Sequence, residues 1–216
     1  MIEKENHMDI RKDYWDSYYA QIKVGNLKPS QFAVFVESEL NENFQVIEVG
    51  CGNGRDALYF SSLGYSVIGI DASKNAVAFC QKNIVNEKKN NSFLALDVGN
   101  IHAGDIAGNL LEGHQRLVYS RFFIHAITES EEDRFLDFSS KVCQGGDITA
   151  LEFRTYRDAD LKKETAKHYR RFIDPVKVLH KLSLHGFEPY YFVEGFGYAK
   201  YRNDDAYVAR ILARKK

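Results

Sequence analysis

The chain has 216 residues, enough for one α/β domain with a proper core and too few for two. With 44% hydrophobic and 27% charged residues and a formal net charge of −1, it has ordinary globular composition. It lacks the global charge that binds nucleic acid or an anionic membrane, so a charged partner must be recognised locally. Cys51, Cys80 and Cys143 are odd in number and widely spaced, without a CxxC pair. This argues against a disulfide framework and a zinc site, and no metal is expected. The polar start MIEKENHMDI has no apolar core of a leader, and no stretch approaches a membrane span. A cytoplasmic protein, monomer or homodimer, is expected.

In chain order, residues 1–44 read as a helical N-terminal region. It carries an aromatic cluster of Tyr14, Trp15, Tyr18 and Tyr19, a loop through Pro29 and a helix from Ser30. The cluster reads equally as a lid over a ligand or as rings packed on the domain. Residues 45–216 read as the main domain. A β-branched run at 45–49 precedes a helix at 55–63 stopped by Gly64, a strand at 66–70 and a helix opening at Ser73. Further strands follow at 92–96, 116–119 and 147–153, with a helix at 129–142 whose first turn is acidic. Strands alternating with helices imply a parallel sheet covered on both faces. The end of the chain breaks the rhythm. A helix at 174–184 has Pro175 in its first turn and Gly186 beyond its end, then strands at 187–194 and 206–213 have no helix between them. Those two should pair antiparallel.

The densest signal is VIEVGCGNGRD at 46–56, in which Gly50, Gly52 and Gly54 follow a strand and precede a helix. Such a turn can adopt positive φ and lets a ligand approach the backbone closely. A dinucleotide fingerprint requires G-x-G-x-x-G, whose third glycine here is Arg55. The spacing is G-x-G-x-G instead.

That run resembles the first motif of class I S-adenosylmethionine-dependent methyltransferases, E/D-x-G-x-G-x-G. The resemblance implies a Rossmann-like three-layer sandwich on a mostly parallel seven-stranded sheet with an antiparallel last strand, and S-adenosylmethionine as cofactor. It places Glu48 at the amino-acid end of that cofactor, Asp71 on both ribose hydroxyls and Asp97 at the adenine amino group. It adds Gly50, Cys51, Gly52, Asn53, Gly54, Ala72, Val98 and Ser120 as cofactor contacts. A carboxylate at 71 could accept two hydrogen bonds at once.

The acceptor side reads from residues at the ends of later strands. Ser120, Arg121 and His125 follow the fourth strand, and Glu152 and Arg154 end the fifth. KHYRR at 167–171 supplies His168, Tyr169, Arg170 and Arg171, and Lys200 and Arg202 lie between the last two strands. Arginine forks suit phosphate or carboxylate, so Arg121, Arg154, Arg170, Arg171 and Arg202, with Tyr169, form a candidate anion-binding rim. The competing reading pairs those arginines with Asp158, Asp160, Glu164 and Asp174. His125 and His168 are candidate bases, needed only if the methylated atom is not already ionised. The runs YSRFFIHAIT, LEFRT and HYRRFIDP also resemble small bacterial methyltransferases of capsule, lipopolysaccharide and teichoic-acid-type glycans. That resemblance implies a small polar, anionic glycan precursor, methylated on a sugar or phosphate-type oxygen. An NAD-dependent oxidoreductase, a non-catalytic S-adenosylmethionine-binding protein and a nucleic-acid methyltransferase are the competing classes. No N/D-P-P-Y/F run follows the fourth strand to support the last, and no nucleic-acid partner is expected.

Overall fold

The computed structural model describes residues 11, 13–21, 28–40, 43–84, 90–161, 163, 168–201 and 203–216. Residues 13–20 are helical (α1). There follow α2 (Gln31–Ser38), β1 (Phe44–Val49), α3 (Arg55–Ser62), β2 (Ser66–Asp71), α4 (Lys74–Asn83) and β3 (Ser92–Ala95). Then come β4 (Gln115–Arg121), α5 (Glu129–Val142), β5 (Ile148–Arg154) and α6 (Pro175–Leu184). The chain ends with β6 (Phe187–Gly195), β7 (Lys200–Tyr201), β8 (Asp204–Asp205) and β9 (Val208–Lys215).

Seven strands form one sheet in the order β3-β2-β1-β4-β5-β9-β6. β1 to β5 pair parallel, and β9 runs antiparallel between β5 and β6. This is a Rossmann-like sheet with an inserted reversed strand, the arrangement that the resemblance implies. The order turns back between β1 and β4, so a crevice opens beyond the carboxyl ends of these two strands, where such sheets bind ligands. A bulge between Pro189 and Tyr191 on edge strand β6 accommodates a proline that cannot donate to the ladder.

Alternation along each strand sends side chains to two cores. On one face Ile47, Val49, Val118 and Leu151 pack with Phe135 and Leu136 of α5 and Val178 and Leu182 of α6. On the other, Val46, Val67, Leu117 and Ala150 pack with Phe32 and Val36 of α2, Phe60 of α3 and Val77 of α4. Side-chain caps fix where the helices begin. The hydroxyls of Ser30, Ser73 and Thr128 accept from Ala33, Ala76 and Glu131 N–H, and the Asp174 carboxylate accepts from Val176 N–H. Thr128 and Glu131 form a reciprocal capping box. α3 differs: its cap is Gly54, without a side-chain hydrogen bond, and its start faces the crevice.

Three boundaries differ from the sequence pattern. β3 ends at Ala95, so Asp97 lies beyond it and instead caps a short 3-10 turn over Val98–Asn100 by accepting from Gly99 N–H. β4 runs on through Ser120 and Arg121, placing both within the sheet. The connection between β6 and β9 contains a small hairpin, β7 with β8. Among the described residues, no helix is long and apolar enough to cross a membrane. Cys51, Cys80 and Cys143 are buried and free.

Candidate active site

The glycine turn after β1 is held by paired hydrogen bonds: Gly50 N–H and Cys51 N–H both donate to Ile70 O, at 2.8 and 3.0 Å. Gly50, Gly52 and Gly54 all lie at positive φ, +77°, +52° and +70°. Space makes the same demand. A Cβ at Gly50 would fall 2.3 Å from the Phe123 ring, at Gly52 2.3 Å from Tyr19 Oη, and at Gly54 2.6 Å from Cys80 Sγ. The turn is therefore built of glycine for backbone and packing reasons together.

Beyond this turn opens a cavity of about 1020 Å³, lined among others by Glu48, Gly50, Cys51, Asn53, Asp71 and Ala72. Asp97, Val98, Arg121, Phe122 and Phe123 continue the wall. Asp71, at the end of β2, points both carboxylate oxygens at the backbone of its surroundings. Oδ2 accepts from Gly52 N–H and Oδ1 from Ser73 N–H, each at 2.8 Å. It thus braces the glycine turn and the start of α4 and retains lone pairs toward the cavity. Burial holds its carboxyl above the ordinary value, opposed by those N–H groups. Glu48 is buried, and desolvation, then the Asp56 carboxylate, pushes its carboxyl well up. Its Oε2 has no hydrogen-bond partner among the described residues. A buried carboxylate oxygen of this kind is available to a donor from outside the protein, a water or a ligand. Asp56 fixes the other side of the turn, accepting from Ser30 N–H and Oγ–H at 2.7 Å and from the Tyr119 hydroxyl at 2.9 Å.

The N-terminal helix crosses this cavity. Arg11 forms a two-pronged pair with Glu131 at the start of α5, both contacts at 2.9 Å. Asp16 accepts from Ser73 Oγ–H at 2.6 Å and Asn75 Nδ2–H at 2.8 Å at the start of α4. Tyr19 lies over Gly52, and Trp15, Tyr18 and Tyr19 line the cavity. Nothing in the sequence pattern singles out Arg11 or Asp16, because their partners lie 120 and 57 residues away.

A second, smaller cavity of about 240 Å³ shares Trp15, Pro29, Arg55, Arg121, Phe122 and Lys200 with the first. His125, Arg154, His168, Arg170 and Asp204 line its far side. Phe122 stands between the two with φ +54°, the one non-glycine residue at positive φ among those described. Its ring lies under the Arg121 guanidinium at 4.2 Å and near that of Arg154 at 5.4 Å. Arg121 also pairs with Glu152, which in turn holds Arg210, each at 2.7 Å.

Several expected site residues stand elsewhere or do other work. Ser120 donates its hydroxyl to Val49 O at 2.9 Å and is not among the residues lining either cavity. Arg171 is bound to Ile124 O, Ile127 O and Glu132, fastening the 124–127 turn to α5, and lines neither cavity. Tyr169 is exposed beneath the Arg11 guanidinium, also outside both cavities. Gly52 and Gly54 shape the turn from behind Tyr19 and Cys80 rather than lining the cavity. Arg154 reaches the small cavity but is buried between Asp158 and Asp204, each at 2.7 Å, so its guanidinium holds the fold together there. Arg202, with Glu164 and Lys167, lies outside the described residues. His168 lies between Tyr14 and Trp15, its Nε2 3.2 Å from Arg170.

His125, a candidate base in the sequence, lines the small cavity. It is buried, and desolvation with the nearby Arg154 and Arg170 holds its imidazole well below the ordinary value, hence neutral. Arg154 N–H donates to its Nδ1 at 3.2 Å. In a neutral ring with Nδ1 accepting, the proton sits on Nε2, so the nitrogen free to act is a donor.

Residues 46–146 match a family model described as a methyltransferase domain. An uncharacterized methyltransferase of Schizosaccharomyces pombe is 31% identical over 105 residues, 49% of this chain and 66% of that protein. The probable S-adenosyl-L-methionine-dependent methyltransferase TehB of Haemophilus influenzae is 32% identical over 80 residues, 37% of this chain and 26% of its own. The chain thus spans 66% or less of the length of these two relatives. An S-adenosylmethionine-dependent methyltransferase structure from Anabaena variabilis superposes with a TM-score of 0.72 at 20% identity, covering 96% of this chain and 94% of the other. Over residues 46–146 the chain carries the stretch that this methyltransferase-domain model describes, and its relatives are named as methyltransferases.

Proposed function

We propose that this protein transfers a methyl group from S-adenosylmethionine to an oxygen of a small, anionic acceptor. The observation that carries the reading is the juxtaposition of two adjoining cavities that share part of their lining. One is framed by the glycine turn and the carboxylates of Glu48, Asp71 and Asp97, the other is walled by arginines. In the first, Asp71 takes the ribose hydroxyls, Asp97 and Val98 take the base, and Glu48 with the turn 50–54 takes the amino-acid end. The helix α1, tied down by Arg11 and Asp16, serves as a lid that keeps water from the reacting atoms.

The cofactor supplies an already electrophilic methyl carbon, so the protein's task is alignment and exclusion of water. Trp15, Tyr18 and Tyr19 line the large cavity, while Phe122, held in a strained conformation, lines both chambers where they adjoin. With His125 acting as a donor, no base is assigned, and an acceptor oxygen that is already ionised fits this arrangement. The sequence resemblance of residues 119–128, 151–155 and 168–175 favours a phosphorylated or acidic sugar of a surface-glycan precursor.

The test is a screen of phosphorylated sugars, nucleotide-linked sugars and simple hydroxy acids for formation of S-adenosylhomocysteine, with label followed from the donor methyl. Anionic members should be methylated and their neutral counterparts should not. Turnover restricted to neutral acceptors, or to polymeric nucleic acid, would refute the reading.

A further inference from the structure

The small cavity differs from the large one in charge, size and the chemistry of its inner wall. Among the described residues, Arg55, Arg121, Arg154, Arg170 and Lys200 line it against a single carboxylate, Asp204. The acids behind that wall are shared: Glu152 serves Arg121 and Arg210, and Asp158 serves Arg154 and Lys163. His125 adds a neutral N–H whose direction is fixed, because the Arg154 backbone occupies the opposite ring nitrogen and the Phe122 ring packs edge-on at 5.3 Å. At about 30 Å³ for each water-sized volume, 240 Å³ holds roughly eight water volumes, room for an oxyanion and a short spacer.

We propose that this cavity is the acceptor's anchoring subsite: it seats a carboxylate or phosphate head against Arg170, Arg121 and the Nε2–H of His125. The nucleophilic oxygen of the same molecule is thereby presented at Phe122, where the two chambers adjoin. The inference rests on the methyltransferase reading for the meaning of the second chamber, and extends it by assigning what the first residues of the inner wall recognise. The acceptor is then a compact molecule with an acid group a few bonds from its nucleophile. His125 selects through a hydrogen bond, and Arg170 through charge.

Trp15 is the only tryptophan in the chain and lines both cavities, so its fluorescence reports either chamber. Inorganic phosphate and acetate are titrated into the full chain, with and without S-adenosylhomocysteine, following Trp15 emission and heat. His125→Gln is the informative variant. Glutamine's Oε1 can accept from Arg154 N–H while its Nε2 donates into the cavity, whereas His125→Leu does neither.

The expected result is saturable binding of at least one of the two ions. Arg170→Gln and His125→Leu should each weaken it roughly tenfold or more, and His125→Gln should nearly restore it, with S-adenosylhomocysteine affinity unchanged throughout. Binding of phosphate alone identifies a phosphate-bearing acceptor, and of acetate alone a carboxylate-bearing one. Absence of binding for both ions, or indifference to Arg170→Gln, or equal damage from His125→Gln and His125→Leu, overturns the assignment. Failure of S-adenosylhomocysteine to bind would instead remove the methyltransferase reading, and the ion titration without it still reports on the small cavity.

Discussion

Replacing Asp71 with asparagine changes one atom at the junction of cofactor site and fold. In the native chain each carboxylate oxygen accepts from a backbone N–H at 2.8 Å, one on Gly52 and one on Ser73. A hydrogen bond to a charged group contributes about 1.5–3 kcal/mol, a neutral one about 1. Asparagine keeps one acceptor and turns an NH₂ toward the other N–H, leaving that donor unsatisfied. The expected loss of folding stability is therefore roughly 2–4 kcal/mol, seen as a lower urea midpoint at an unchanged slope. In the proposed site the ribose would lose the two-oxygen acceptor as well, so the dissociation constant for S-adenosylhomocysteine should rise roughly ten- to hundredfold, about 1.4 kcal/mol for each factor of ten. Calorimetry on the folded variant at low temperature separates the two effects. A ligand affinity within about twofold of wild type would refute the ribose contact, and an unchanged urea midpoint would refute the brace.

Gly52→Ala places a methyl 2.3 Å from Tyr19 Oη on a backbone at φ +52°. It should weaken S-adenosylhomocysteine binding, and adding Tyr19→Ala should recover the steric part but leave the backbone penalty of about 1 kcal/mol. A single variant that binds like wild type would show that the turn tolerates a side chain. Arg154→Ala leaves Asp158 and Asp204 buried without their shared partner and should destabilise the fold by about 3–5 kcal/mol in urea. A soluble, fully stable variant with impaired turnover would instead make Arg154 a dedicated substrate residue. For His125, the folded chain holds the imidazole neutral well below its ordinary value, so below about pH 6.5 the unfolded chain takes up a proton that the folded one refuses. Stability should therefore fall on acidification by roughly 1 kcal/mol per pH unit from this group. That slope should be shallower in His125→Gln, and identical slopes in urea titrations would contradict the neutral assignment.

The architecture was legible because its signals are local. The run 46–56 encodes strand, turn and helix in eleven consecutive residues, and Asp71 closes the next strand. The antiparallel pairing of β9 with β6 could be anticipated because no helix separates them. The site was less legible where direction or distance decides. Ser120 and Arg121 are neighbours, yet one hydroxyl turns onto Val49 and the other side chain reaches the cavities, since successive side chains leave a strand on opposite faces. Arg170 and Arg171 also part, the second bound by carbonyls from a turn some 45 residues earlier. The tautomer of His125 depends on a backbone N–H 29 residues on, and the hold of α1 depends on Glu131, Ser73 and Asn75. Long-range pairings of this sort leave no mark in a single sequence.

The most direct measurement is a calorimetric titration of the purified chain with S-adenosylhomocysteine and, separately, with NAD, while Trp15 fluorescence is recorded. S-adenosylhomocysteine should bind once per chain in the roughly 1 µM–1 mM range of enzyme ligands and perturb Trp15, and NAD should do neither. Binding of NAD in place of S-adenosylhomocysteine, or of neither, would contradict the assignment of the cavity beyond the glycine turn.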